Sequence, residues 1–140
     1  MENVVPRTWV PGTPRGYGSE KVANEWLKQI EDKLGGYRGR GKSHSDTDRY
    51  EVDLAFLINP NSAKYCGKNL PHGTDLDNLV KQTVDGLAAT KSRSLPSGLG
   101  ILHDDSAVYQ IVATKEHVKR DEDAGVWVTV RLLRSSQSVL

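Results

Sequence analysis

The order of patterned segments predicts a small α/β (α+β) domain: a mixed or antiparallel sheet with two helices packed on one face. Three observations carry this. Residues 50–58 alternate apolar and polar side chains, as a strand with one buried face does. Two segments, 19–34 and 75–89, repeat apolar residues at helical spacing. Two further segments, 106–117 and 126–133, are rich in Val, Ile, Tyr and Thr. The 140 residues are the usual length of one domain, so 1–140 is expected to fold as one unit with 134–140 as a flexible tail.

Composition bounds the function classes. Hydrophobic residues make up 36% and charged residues 26%, an ordinary globular balance rather than a disordered one. The net charge of +1 is too small to mark the whole surface as a polyanion binder, so a nucleic-acid surface has to come from local clustering. Cys66 is the single cysteine, which excludes an internal disulfide and suits a reducing, cytoplasmic setting. Residues 1–10 lack the basic-then-apolar pattern of a signal peptide. No apolar run approaches the ~20 residues that span a bilayer, so no membrane partner is expected.

Residues 4–10 read as an edge strand, provided Pro6 sits where the ladder needs no donor. A Pro/Gly-rich connector carrying Arg15 and Tyr17 follows. Ser19 is placed as the cap of the first helix, whose stripe is Ala23, Trp26, Leu27, Ile30 and Leu34. On that stripe Trp26 belongs to the core. Gly35-Gly36 ends the helix. The glycine-rich basic stretch 35–49 offers Arg38, Arg40 and Lys42 from flexible backbone, as a phosphate-contacting loop or as plain solvated surface. After the strand 50–58, a long loop bears Lys64, Lys68 and His72. Leu76, Leu79, Val80, Val84 and Leu87 form the stripe of the second helix, with Thr74 or Asp75 as its cap. Lys91 and Arg93 lie in the next loop. The final two strands, separated by a short charged turn, are expected to pair as an antiparallel hairpin.

The chemistry concentrates where the second helix opens. Asp75 and Asp77 are two residues apart and would diverge by about 200° on a continuous helix, so they converge only if Asp75 lies at the cap, outside helical geometry. Lys81 is one turn beyond Asp77 on the same face, and Asp85 one turn further. Asp104-Asp105 precedes a later strand, where alternation would send one carboxylate inward and one away. Carboxylates from two elements beside a lysine suit a magnesium site acting on a phosphodiester, because magnesium takes hard oxygen ligands and keeps several waters. The same residues also serve as cap, helix-dipole partner, surface ion pair and turn formers. Spacing alone leaves both uses open.

The run DLDNLVK opening a helix, VDGL at its end, and then LHDDSAVYQI leading into a strand together resemble the RusA family of Holliday junction resolvases. The resemblance is carried by residues 50–133. It implies a homodimeric crossover junction endodeoxyribonuclease that nicks four-way DNA junctions symmetrically, using Mg2+ with Mn2+ as a substitute. It implies that Asp75, Asp77 and Asp105 hold the metal, that Lys81 is the catalytic lysine, and that Asp104 and Asn78 support them. Candidate DNA contacts are Arg15, Arg38, Arg40, Lys42, Lys64, Lys68, Lys91 and Arg93. The chain departs from the pattern just before Asp75, where 70–74 reads LPHGT instead of a run of arginines. A less selective flap or fork nuclease, and a junction-binding module without catalysis, remain as alternatives.

Overall fold

The computed structural model describes residues 2–14, 20–65, 72, 74–88 and 98–134, with main chain alone for 20–24. Six regular elements follow in order: β1 (Glu2–Pro11), α1 (Glu20–Leu34), β2 (Arg49–Ile58), α2 (Leu76–Leu87), β3 (Val108–His117) and β4 (Gly125–Leu133). They build a four-stranded mixed sheet in the order β1-β4-β2-β3. β4 pairs antiparallel with both β1 and β2, and β2 pairs parallel with β3.

The sheet corrects one expectation. β3 and β4 do not form a hairpin, because β2 lies between them and pairs with each. The parallel β2–α2–β3 unit is a crossover, with the helix returning the chain to the end of the sheet where β2 begins. β3 is therefore an edge strand, and its outer row of main-chain donors and acceptors has no neighbouring strand among the described residues.

Burial alternates strictly along β2, and in β4 only Thr129 of the opposite face, with Gly125 at its start, breaks the pattern. Tyr50, Val52, Leu54, Phe56 and Ile58 of β2 are buried, as are Val126, Val128, Val130 and Leu132 of β4. The helices supply the other half of this core through Trp26, Leu27, Ile30 and Leu34 of α1 and Leu79, Val84 and Leu87 of α2. The two helices meet at Gly86, where an added β-carbon would stand 2.9 Å from Leu27 Cδ2. Trp26 is core, as its position on the stripe predicts, and its Nε1 donates to Thr83 Oγ1 at 3.5 Å. On the opposite sheet face, Arg131 donates to Glu51 at 2.7 Å, and Trp127 stacks on Trp9 with centroids 5.2 Å apart.

Pro6 sits in the irregular stretch between Val5 and Thr8, where the β1–β4 register shifts and no ladder donor is required. The Arg134 guanidinium donates twice to the Glu2 carboxylate, at 2.8 and 3.0 Å. Ser19, Cys66 and residues 135–140 lie outside the described residues. Among the described residues no helix is long and apolar enough to cross a membrane.

Candidate functional site

Asp75 precedes α2 with φ −58° and ψ 137°, and its carbonyl accepts from Leu79 N at 3.2 Å. A capping aspartate ordinarily also accepts a main-chain N–H on its side chain. Here the carboxylate makes no such bond and is exposed. The break in helical geometry that Asp75 and Asp77 need in order to converge is thus present. Asp77 and Lys81 are exposed on the first turns, and Asp85 is half-buried further along. Burial raises the Asp85 carboxyl above the usual range; the Lys81 charge opposes this and the Asp105 charge adds to it.

Asp104 and Asp105 are not on the strand itself. Asp105 begins a single 3-10 turn, Asp105–Ala107, so strand alternation does not set their directions. Capping separates their roles instead. The Asp104 side chain accepts from Ser106 N at 3.2 Å, the first cause of its lowered pKa, with the Asp105 side chain second. The Asp105 carboxyl is raised, first by its hydrogen bond with Asp104 and then by burial. One shared hydrogen bond therefore favours the ionised form of Asp104 and the protonated form of Asp105.

Two sets of bonds place this pair. Ile101 N and Leu102 N both donate to Leu87 O, at 2.9 and 3.1 Å, tying the approach to Asp104 to the C-terminal end of α2. On the other side, His103 N donates to the buried Tyr50 hydroxyl at 3.1 Å, and His103 Nε2 donates to Asp48 O at 3.2 Å. His44 Nδ1 also bonds to the Tyr50 hydroxyl.

The opposite end of α2 is tied to the far end of β3. Lys115 Nζ donates to His72 O at 2.8 Å and to Thr74 O at 3.1 Å. α2 and β3 therefore run antiparallel, with Asp75 level with the end of β3 and Asp85 level with its start. The ten residues from Asp75 to Asp85 span about 15 Å of helix axis. Within one chain, the Asp105 charge acts on Asp85 near the C-terminal end of α2, while Asp75 and Asp77 stand at the other end of the helix. Among the described residues, no three His, Cys, Asp or Glu side chains form a group that could hold a metal ion.

The basic candidates divide similarly. Residues 35–43 are not free backbone but two 3-10 turns, Gly35–Tyr37 and Arg40–Ser43, packed against 98–103. Gly39 N and Gly41 N donate to Leu99 O and Gly100 O, at 2.9 and 2.8 Å. Arg38 pairs with Glu31 at 3.1 Å, and the Arg40 guanidinium lies 4.8 Å from the Tyr37 ring centroid. Lys42 and Lys64 are exposed; hydrogen bonds from Ser62 and Asn59 hold the Asp121 carboxyl below its usual range, and the Lys64 charge adds to this. Arg15, Lys68, Lys91 and Arg93 lie outside the described residues.

Several residues escaped the sequence pattern. Asp48 is 3% exposed; its carboxylate accepts from Ser45 N at 2.8 Å and faces Arg134 at 3.9 Å. A cavity of about 480 Å³ opens beside the acidic pair, lined in part by Asp46, Arg49, His103, Asp104 and Tyr109. Tyr109, Ile111 and Val112 of β3 are 70%, 44% and 40% exposed. The unbroken apolar run Ile111-Val112-Ala113 is the one signal in the sequence that both faces of this strand differ from those of β2. No family model, no curated protein and no solved structure matches the chain.

Proposed function

We propose that this chain is a metal-dependent endodeoxyribonuclease that resolves four-way DNA junctions by paired nicks, working as a homodimer. The supporting observation is Asp75: an exposed carboxylate at a helix entrance, not used by the helix as a cap, with Asp77 and Lys81 on the following turns. The motifs that resemble RusA resolvases fall on these same residues.

The open edge of β3 suggests how Asp105 joins them. An isologous dimer presents the same patch from both copies, and two β3 edges can pair antiparallel across a two-fold axis. Centred on the exposed Ile111, such a pairing sets residue 105 of one copy opposite residue 117 of the other. That is the end of β3 where His72 and Thr74 are held next to Asp75. The partner's Asp105 would then approach Asp75 and Asp77, giving two equivalent sites for the two strands of a two-fold junction. The exposed apolar residues Ile111 and Val112 would lose water on pairing.

The donors on offer are carboxylate oxygens, which suit Mg2+, with Mn2+ in its place. Asp75, Asp77 and the partner's Asp105 would hold the ion, which when bound polarises a phosphoryl oxygen. Water attacks phosphorus in line, giving up a proton to solvent, and the P–O ester bond breaks with the leaving oxygen taking up a proton from solvent. The Lys81 ammonium stabilises the negative charge that builds during this exchange. Exposed cations such as Arg40 and Lys42 hold backbone phosphates, so binding weakens with salt.

The test is a labelled four-way junction, a flap and a linear duplex, each incubated with magnesium or with EDTA. Paired, magnesium-dependent nicks in the junction alone support the resolvase. Equal cutting of flaps or forks replaces it with a less selective nuclease. Salt-dependent junction binding without product under any divalent metal replaces it with a binding module, a reading favoured by the distance between Asp75 and Asp105 within one chain.

A further inference from the structure

Lys115 stands opposite Phe56 in the parallel register, on the sheet face that carries the core, and is half-buried. Its ammonium donates to two main-chain carbonyls of one loop, His72 O at 2.8 Å and Thr74 O at 3.1 Å. The second acceptor belongs to the residue immediately before Asp75. Two positions along β3 and on the same face, His117 Nε2 meets the same His72 carbonyl at 3.4 Å. The end of β3 thus grips the chain just before it enters α2.

The grip matters because Asp75 lacks the usual alternative. A cap aspartate is aimed by the N–H groups of its own helix, whereas the Asp75 carboxylate makes no cap bond. Its direction follows from its main chain, and the Thr74–Asp75 peptide is the one whose oxygen Lys115 holds. Charge-assisted bonds from one cation to two carbonyls are stronger than neutral ones and restrict how that peptide can rotate.

We infer that Lys115 is a positioning residue for Asp75, fixing the entry of α2 so that this carboxylate is presented in one orientation. Its consequence for metal binding rests on the role proposed above for Asp75; the grip itself does not. The charge is required together with the reach, so arginine substitutes and methionine, of similar length and without charge, does not.

The experiment uses the full chain as wild type, Lys115→Met and Lys115→Arg, each labelled with nitrogen-15. Amide hydrogen exchange is followed at Leu79, which donates to Asp75 O, and at Ala88, which donates to Val84 O at the other end of α2. In Lys115→Met the Leu79 amide is expected to exchange about tenfold faster with Ala88 unchanged, and Lys115→Arg to restore the wild-type rate. In the same samples, the magnesium midpoint read from the amide shifts of residues 75–79 is expected to rise about tenfold in Lys115→Met and to recover in Lys115→Arg. Unchanged exchange at Leu79 overturns the inference. So does equal acceleration at Leu79 and Ala88, which marks general stability, and so does a local acceleration that leaves the magnesium midpoint in place. If magnesium moves none of these amides in the wild type, the metal role of Asp75 fails, and the exchange rates alone decide the positioning.

Discussion

Gly41 lies against the main chain of His103: a β-carbon built on it would stand 2.6 Å from His103 N. It would also meet the Leu102 carbonyl carbon at 2.7 Å and Gly100 O at 2.9 Å. Backbone cannot yield as the tip of a side chain can. Gly41→Ala is therefore expected to push 100–103 away and to cost about 1–3 kcal/mol, read as a lower urea midpoint. Because Asp104-Asp105 follows directly, nicking should fall in the same variant even under conditions where it is fully folded.

Burial of Tyr50 pushes its hydroxyl up to about 12, with the His103 N–H bond opposing. The folded value lies above the ordinary 10.0, so the stability it contributes is complete below pH 10 and lost as pH rises toward about 12. Ultraviolet titration should show one of the five tyrosines ionising near pH 12. Tyr50→Phe should remove that late step, leave His103 N without its acceptor, and cost about 1–3 kcal/mol.

Asp105 must lose its proton before it can hold a cation. Its pKa is raised and that of Asp104 lowered, through the bond they share. Magnesium-dependent nicking is expected to rise with pH on its acid side through the Asp105 ionisation. Asp104→Asn offers Asp105 an amide donor, which favours the charged form, and should move that limb to lower pH. An unmoved limb in this variant would separate Asp105 from the titration.

Asp77→Asn is expected to bind a four-way junction in EDTA as the wild type does and to nick it about 100-fold more slowly or worse. Wild-type cutting by this variant would remove Asp77 from the metal set. Lys81→Met should likewise retain most junction affinity while losing turnover, since in the proposed reaction its charge acts on the transition state.

A charge in the middle of an open edge opposes strand pairing. Ile111→Lys should sediment as a monomer with an unchanged far-ultraviolet spectrum, and should not nick. Mixing inactive Asp75→Asn with inactive Asp105→Asn should restore cutting. In a shared arrangement, one of the two sites in the mixed dimer carries both substitutions and the other carries none. No recovery on mixing would place all three aspartates of a site in one chain.

Local structure was legible from the residues that create it. The alternation at 50–58 became β2, and the stripe containing Trp26, Ile30 and Leu34 became the buried face of α1. The entrance of α2 was legible as well, because Asp75 falls where apolar periodicity begins. A short charged turn between β3 and β4 suits a hairpin, whereas the insertion of β2 between them depends on partners far away in sequence. The distance between Asp75 and Asp105 was hidden for the same reason. Each lies at the end of a recognisable element, but that α2 and β3 run antiparallel follows from the sheet order, which no local pattern encodes. Lys115 carries no sequence signal of its own, since its acceptors are main-chain oxygens that leave no mark on composition.

The central place of β4 also bears on how the chain folds. Among the described strands β4 comes last in sequence, yet it fills the gap between β1 and β2. A growing chain can close the β2–α2–β3 crossover early, while β1 must wait for β4, more than a hundred residues away. Contacts over such separations cost loop-closure entropy before they return any energy, which slows folding toward the millisecond-to-second range of β-rich domains. Until β4 docks, β1 and the inner side of β2 are open edges that another nascent chain can fill.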